Sequence, residues 1–226
     1  MHPLERPVWA SLTTHHVSLS EGNELARRFA RDVNLFGSAC DDTAAAVAAL
    51  ADLVQPGETV FLVQAPKIVV PPGLVQIKAG VCVQMVATRS MMFETTGDIL
   101  KLTDEDAPEM LELATLTEPG PFLSRTHTMG TFLGIRIGGR LAAMAGERLR
   151  FPGYTEVSGV CTHPDFRGRG LARRLSTAVA ASIEARGDQP FLHAWKTNHS
   201  AISLYEALGF KVRTEVNAVV LKRDSI

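Results

Sequence analysis

Asn198-His199-Ser200-Ala201-Ile202-Ser203-Leu204-Tyr205-Glu206-Ala207-Leu208-Gly209-Phe210 is the most informative stretch of this 226-residue chain. Read locally, it is a helix with both ends written in. Asn198 or Ser200 can accept hydrogen bonds from the free amides of the first turn. Gly209 suits the left-handed position just past the last turn, and Phe210 can fold back as the hydrophobic close. Ala201, Tyr205 and Leu208 share one face. Alone, the stretch predicts a well-capped helix packed on a sheet.

Upstream, Arg167-Gly168-Arg169-Gly170-Leu171-Ala172 joins a strand, Tyr154 to Thr162, to an amphipathic helix carrying Leu171, Leu175, Val179 and Ile183. Amides at a helix start point outward without partners, and the helix dipole adds positive charge there. Glycine removes the Cβ atoms that hold an anion away, and Arg167 and Arg169 can add charge-assisted contacts. The physical reading is a pyrophosphate cradle. An exposed turn, a nucleic-acid patch and a dinucleotide site compete with it. The G-x-G-x-x-G spacing is not met, and no Gly-Lys-Ser/Thr follows for a P-loop.

Working outward, Phe191 to Trp195 reads as a strand and Lys211 to Lys222 as β-rich. Thr131 to Ile137 and Leu141 to Arg150 form strands around a Gly138-Gly139-Arg140 hairpin turn. Ile99 to Leu102 is a strand, and Thr103-Asp104-Glu105-Asp106 opens a helix to about Leu116, with acids at its positive end. In the first half, Glu24 to Val33 and Asp42 to Val54 read as helices and Thr59 to Gln64 as a strand. A proline-rich loop follows, and Leu74 to Val86 contains strand. Strands alternating with helices, some hairpin-linked, predict an α/β fold with a mixed central sheet and flanking helices. The chemistry-bearing motifs lie in 97–226, so 1–96 is expected to be a smaller α/β half serving as scaffold or substrate-side wall.

Composition bounds the function. The chain is 46% apolar and 21% charged, with a net charge of −1, which fits a globular protein without a global basic field. Nucleic acid and membrane surfaces are therefore not expected partners. Cys40, Cys82 and Cys161 form no C-x-x-C pair, no His/Cys/Asp cluster has metal-ligand spacing, and the opening residues carry no apolar leader core. A cytoplasmic, metal-free protein is the expectation.

Together and in this order, the two motifs resemble the GNAT superfamily of N-acetyltransferases. Arg167, Gly170 and Ala172 match its acyl-CoA signature Gln/Arg-x-x-Gly-x-Gly/Ala. Asn198, Ala201, Tyr205, Gly209 and Phe210 match its Asn-x-x-Ala-x-x-x-Tyr-x-x-x-Gly-Phe signature. The resemblance covers about 97–226, and its placement is similar to the glycine N-acyltransferase-like branch, in which a degenerate N-terminal half precedes the catalytic one. It implies a GNAT fold and an N-acyltransferase, foremost an acetyltransferase, that uses acetyl-CoA as co-substrate and an amine as acceptor, as a monomer or homodimer. The strand ending at Thr162 would splay from Phe191 to Trp195, with pantetheine in the gap. Val160, Cys161 and Thr162 would meet pantetheine through the main chain. Arg167, Gly168, Arg169, Gly170, Leu171 and Ala172 would hold the pyrophosphate. Asn198 would line the cofactor, and Tyr205 would sit by the thioester sulfur and protonate the leaving thiolate.

Glu156 lies where histone-type members of that family place a general base, which an alkylammonium near pKa ~10 requires. An edge carboxylate paired with an arginine, or a water chain doing the same work, is the alternative. Cys161 alternates away from Val160 and Thr162 and reads as a buried inert thiol. His193 reads as a core histidine. Two rivals stand beside acetyl transfer: a catalytically silent acyl-CoA-binding regulatory module, and a nucleic-acid-binding domain built on the Arg-Gly repeat.

Overall fold

The computed structural model describes residues 2–90 and 97–225. Among the described residues, eleven strands and five α-helices follow one another. The first half contains α1 (Pro7–Leu12), β1 (Ser20–Gly22), β2 (Ala26–Phe29), β3 (Gly37–Ala39), α2 (Ala44–Asp52), β4 (Thr59–Gln64) and β5 (Val75–Ala87). The second contains β6 (Ile99–Lys101), α3 (Ala107–Thr117), β7 (Phe132–Ile137), β8 (Arg140–Phe151), β9 (Tyr154–Thr162), α4 (Leu171–Ala185), β10 (Gln189–Trp195), α5 (His199–Leu208) and β11 (Phe210–Lys222).

β1, β2 and β3 form a small antiparallel sheet. The other eight strands form one mixed sheet in the order β4-β11-β5-β10-β9-β8-β7-β6. Every neighbouring pair in it is antiparallel except β10 and β9. Alternation along the strands sends side chains to two cores. On one face Leu171, Leu175, Val179 and Ile183 of α4 pack with Ala143, Ala145, Val157, Leu192 and Tyr205. On the other, Met110 and Leu113 of α3 meet Met144 and Cys161, while Val8 and Leu12 of α1 meet Phe61, Phe151 and Phe191.

Local signals explain most boundaries. Thr43 caps α2 through Ala46 N, and a Thr103/Asp106 capping box starts the turn that leads into α3. Gly138 and Gly139 take φ of 59° and 82°, the conformation a tight hairpin between β7 and β8 needs. The expected helix from Glu24 to Val33 is instead the short strand β2 followed by a turn. Asn23 Oδ1 accepts from Leu25 N and Ala26 N, turning the chain into β2, and Arg28 is buried against Glu58 at 2.8 Å. That long-range ion pair overrides local helix propensity.

The expected boundary at 96/97 adjoins residues 91–96, which lie outside the described residues. It does not divide the main sheet: β5 lies between β10 and β11, and β4 forms the edge beyond β11. Among the described residues no helix is long and apolar enough to cross a membrane. An isolated 97–226 fragment lacks the strand that joins β10 to β11, so it should show no cooperative thermal transition. A sharp transition in circular dichroism with native-like near-UV signal would contradict this account of the sheet.

Candidate active site

The site begins where β9 and β10 part. Their parallel pairing runs from Gln189↔Tyr154 to Phe191↔Glu156 and stops there, although both strands continue to Thr162 and Trp195. Two irregularities between β8 and β9 shape the fork. Met144↔Cys161 shifts to Gly146↔Ser158, and Glu147↔Val157 shifts to Arg150↔Thr155. Such bulges re-aim side chains. In the first, Gly159 takes φ 61°, and a Cβ there would come 2.8 Å from the Phe132 ring.

Beyond the fork lies a cavity of about 250 Å³. Val157 to Val160 line it from β9, His193 to Trp195 from β10, Ala201 and Tyr205 from α5, and Asn198 from the cap of α5. Phe36, Phe61, Val63 and Cys82 close it from the first half. Arg148 and the turn from Thr117 to Pro121 complete the wall.

Glu156 sits at the last paired position, fully buried, and does not line the cavity. Arg148 donates to it from Nε and Nη2, at 2.8 and 2.7 Å, and His193 Nδ1 lies 2.7 Å from Oε1. Burial pushes this carboxyl upward. The Arg148 charge and the hydrogen bonds from Arg148 and His193 outweigh that and hold it at about 2. His193 Nε2 in turn stands 3.1 Å from Gln84 Nε2, which also donates to Leu4 O. With Nδ1–H directed to Glu156 and Nε2 accepting from Gln84, the imidazole is satisfied on both nitrogens.

Tyr205 is 8% exposed, and its ring meets Phe210 edge-on at 6.0 Å. Its hydroxyl has no hydrogen-bond partner among the described residues, and burial followed by the Glu156 charge pushes its pKa up to about 12. Asn198 caps α5, its Oδ1 accepting from Ala201 N at 3.1 Å.

Val160 reaches the cavity, whereas the Cys161 side chain packs under α3, and burial lifts its thiol to about 11. Thr162 Oγ1 is buried without a hydrogen-bond partner among the described residues. Arg167, Gly168, Arg169 and Gly170 are exposed, Leu171 is buried in the core, and Ala172 is half-buried. Gly170 adopts φ 71° as the residue before α4, and among the described residues no side chain caps the first turn. The first-turn amides of α4 are thus free for an anion. Arg169 and Arg140 both lie over the Phe166 ring, at 5.4 and 5.6 Å. Among the described residues no group of His, Cys, Asp and Glu is placed to hold a metal ion.

Arg148, His193, Phe36, Phe61 and Trp195 are cavity residues that the sequence motifs do not mark.

The Glu156 carboxyl, usually near 4.5, is depressed to about 2 on folding, so its stabilisation is complete above pH 4.5 and is lost as the pH falls toward 2. Glu156→Gln should cost about 3 kcal/mol or more at neutral pH, because Arg148 loses its buried partner. The gap in melting temperature between wild type and variant should narrow below pH 4.5. A gap that stays constant through acid would show that the carboxylate is not held ionised.

Known proteins resemble this chain in sequence and in fold. Residues 132–219 match the FR47-like protein family. A 56-residue stretch is 45% identical to a mycothiol acetyltransferase of Thermobispora bispora, covering 24% of this chain and 19% of that protein. The chain thus matches about a fifth of that relative's length. A GCN5-related N-acetyltransferase from Kribbella flavida shares the fold at 17% identity and TM-score 0.67, over 98% of this chain and 95% of that one. A Novosphingobium aromaticivorans structure assigned to the GNAT family of acetyltransferases is 43% identical, with TM-score 0.93, over 100% of both chains. With that identity along its whole length, this chain belongs to the GNAT family of acetyltransferases.

Proposed function

We propose that the protein transfers the acetyl group of acetyl-CoA to a primary amine by direct attack on the thioester. The observation that carries this reading is the Tyr205 hydroxyl, unpartnered among the described residues, in a cavity formed where two parallel strands part. In this reading the main chain of Val160, Cys161 and Thr162 pairs with the pantetheine amides. Residues 167–172 hold the pyrophosphate at the uncapped start of α4, and Asn198 lines the pantetheine arm. The arrangement of a degenerate first half before a catalytic second, as in the glycine N-acyltransferase-like branch, belongs to the same proposal. It is supported by the first half's share of the sheet and of the cavity wall.

Attack by a neutral amine forms the new C–N bond, and collapse of the tetrahedral species breaks the C–S bond. The departing thiolate belongs to a thiol of ordinary pKa ~8.5. A phenol raised to about 12 keeps its proton at every working pH. Complete transfer from it to that sulfur is uphill by on the order of 5 kcal/mol. Tyr205 therefore acts chiefly by donating a hydrogen bond as charge develops on sulfur, and the proton released by the amine restores the balance. Glu156, already engaged by Arg148 and His193, acts by fixing those two side chains at the fork. Water removes the ammonium proton before attack.

With any amine that the wild type acetylates, Tyr205→Phe should lower kcat by ~10²-fold, read as free thiol release. CoA affinity by calorimetry and the melting temperature should stay near wild type. Wild-type turnover in the variant would reduce Tyr205 to packing. Tight CoA binding without thiol release from any amine would make the protein a silent acyl-CoA-binding module.

A further inference from the structure

The wall of the cavity opposite Tyr205 is aromatic. Phe36 and Phe61 lie 5.2 Å apart between ring centroids, and Phe61 stacks on Trp195 at 6.3 Å with a 15° interplanar angle. Val63 and Cys82 extend this apolar surface. Gly80 keeps room for the indole, since a Cβ there would come 2.8 Å from the Trp195 ring.

One polar group interrupts that wall. The Arg148 guanidinium lies over the Phe36 ring at 4.7 Å and spends Nε and Nη2 on Glu156. Its third nitrogen, Nη1, has no hydrogen-bond partner among the described residues. A Cβ at Gly120 would come 3.5 Å from Nη1, so the turn passes Nη1 at its one residue without a side chain. A guanidinium pinned on one edge presents its remaining donor in a fixed direction, which favours a planar oxygen acceptor. Glu118 lines the same cavity, exposed, without an ion pair among the described residues. It holds φ 47°, a conformation uncommon for a side chain of its kind. Its charge favours an ammonium over an anion at the entrance.

Size narrows the choice further. A cavity of about 150 Å³ accommodates benzene. The space of about 250 Å³ here must also admit the thioester end, which leaves room for about one residue-sized group.

Resting on the acetyl-transfer reading, we propose that the acceptor is a primary amine of single-residue size bearing an apolar side group and a carbonyl or carboxylate oxygen. Arg148 Nη1 holds the oxygen, and Phe36, Phe61 and Trp195 hold the side group. A free apolar amino acid and the first residue of a peptide both offer this chemistry.

The test is thiol release from acetyl-CoA with phenylalanine, phenylalaninamide, a phenylalanine-first tripeptide, phenethylamine, glycine and putrescine. At least one of the first three should exceed phenethylamine, which lacks the oxygen, by about tenfold or more in kcat/KM. It should exceed glycine by a similar factor. Which of the three leads separates a free amino acid from a peptide end. Phe61→Leu should shrink the preference over glycine with CoA affinity unchanged in calorimetry, and Arg148→Lys should shrink the preference over phenethylamine, read as the ratio of the two substrates within that variant. If Arg148→Lys does not fold, the wild-type comparison decides alone. Equal rates for phenethylamine or putrescine would overturn the proposal, as would CoA binding without turnover of any of the six. Absence of CoA binding would instead overturn the acetyl-transfer reading beneath it.

Discussion

The structure turns on one buried carboxylate. Glu156 occupies the last position at which β9 and β10 are paired, and it binds three strands together there: its own, β8 through Arg148, and β10 through His193. Through His193 and Gln84 the same chain of hydrogen bonds reaches β5 and Leu4. Beyond this point the two parallel strands lose each other as partners. A sheet that opens in its middle exposes main-chain groups with no ladder to join, which is costly unless something fills the gap. The charge cluster fixes where the opening begins, and a ligand in extended conformation can complete the ladder beyond it.

The cavity is composite for the same reason. Residues of β9, β10 and α5 line one part of it, while Phe36, Phe61, Val63 and Cys82 come from the first half. The placement of β5 between β10 and β11 brings these together, so the first half is both sheet and wall.

What could be read from the sequence follows from the range of the interactions involved. The capped helix from Asn198 to Gly209, the glycine turn before Leu171 and the Gly138-Gly139 hairpin are local in origin. Their signals lie within a few residues, and the structure forms them where those signals stand. The segment from Glu24 to Val33 was misleading because Arg28 takes its partner from Glu58. Arg148 and His193 carry no local signature either, since each is defined by Glu156 across a strand boundary. Glu156 itself could be found by its distance from the glycine loop. That spacing could not foretell a carboxylate saturated by donors and turned away from the cavity.

The central claim is that the fork between β9 and β10, together with the uncapped start of α4, is the acyl-CoA site. Backbone amide hydrogen exchange, with and without saturating acetyl-CoA, tests it most directly. The account predicts slowed exchange concentrated at Val160 to Thr162 and at Gly168 to Ala172, with little change in β1 to β3. Unchanged exchange at both places while acetyl-CoA is bound, or protection confined to the first half, would contradict it.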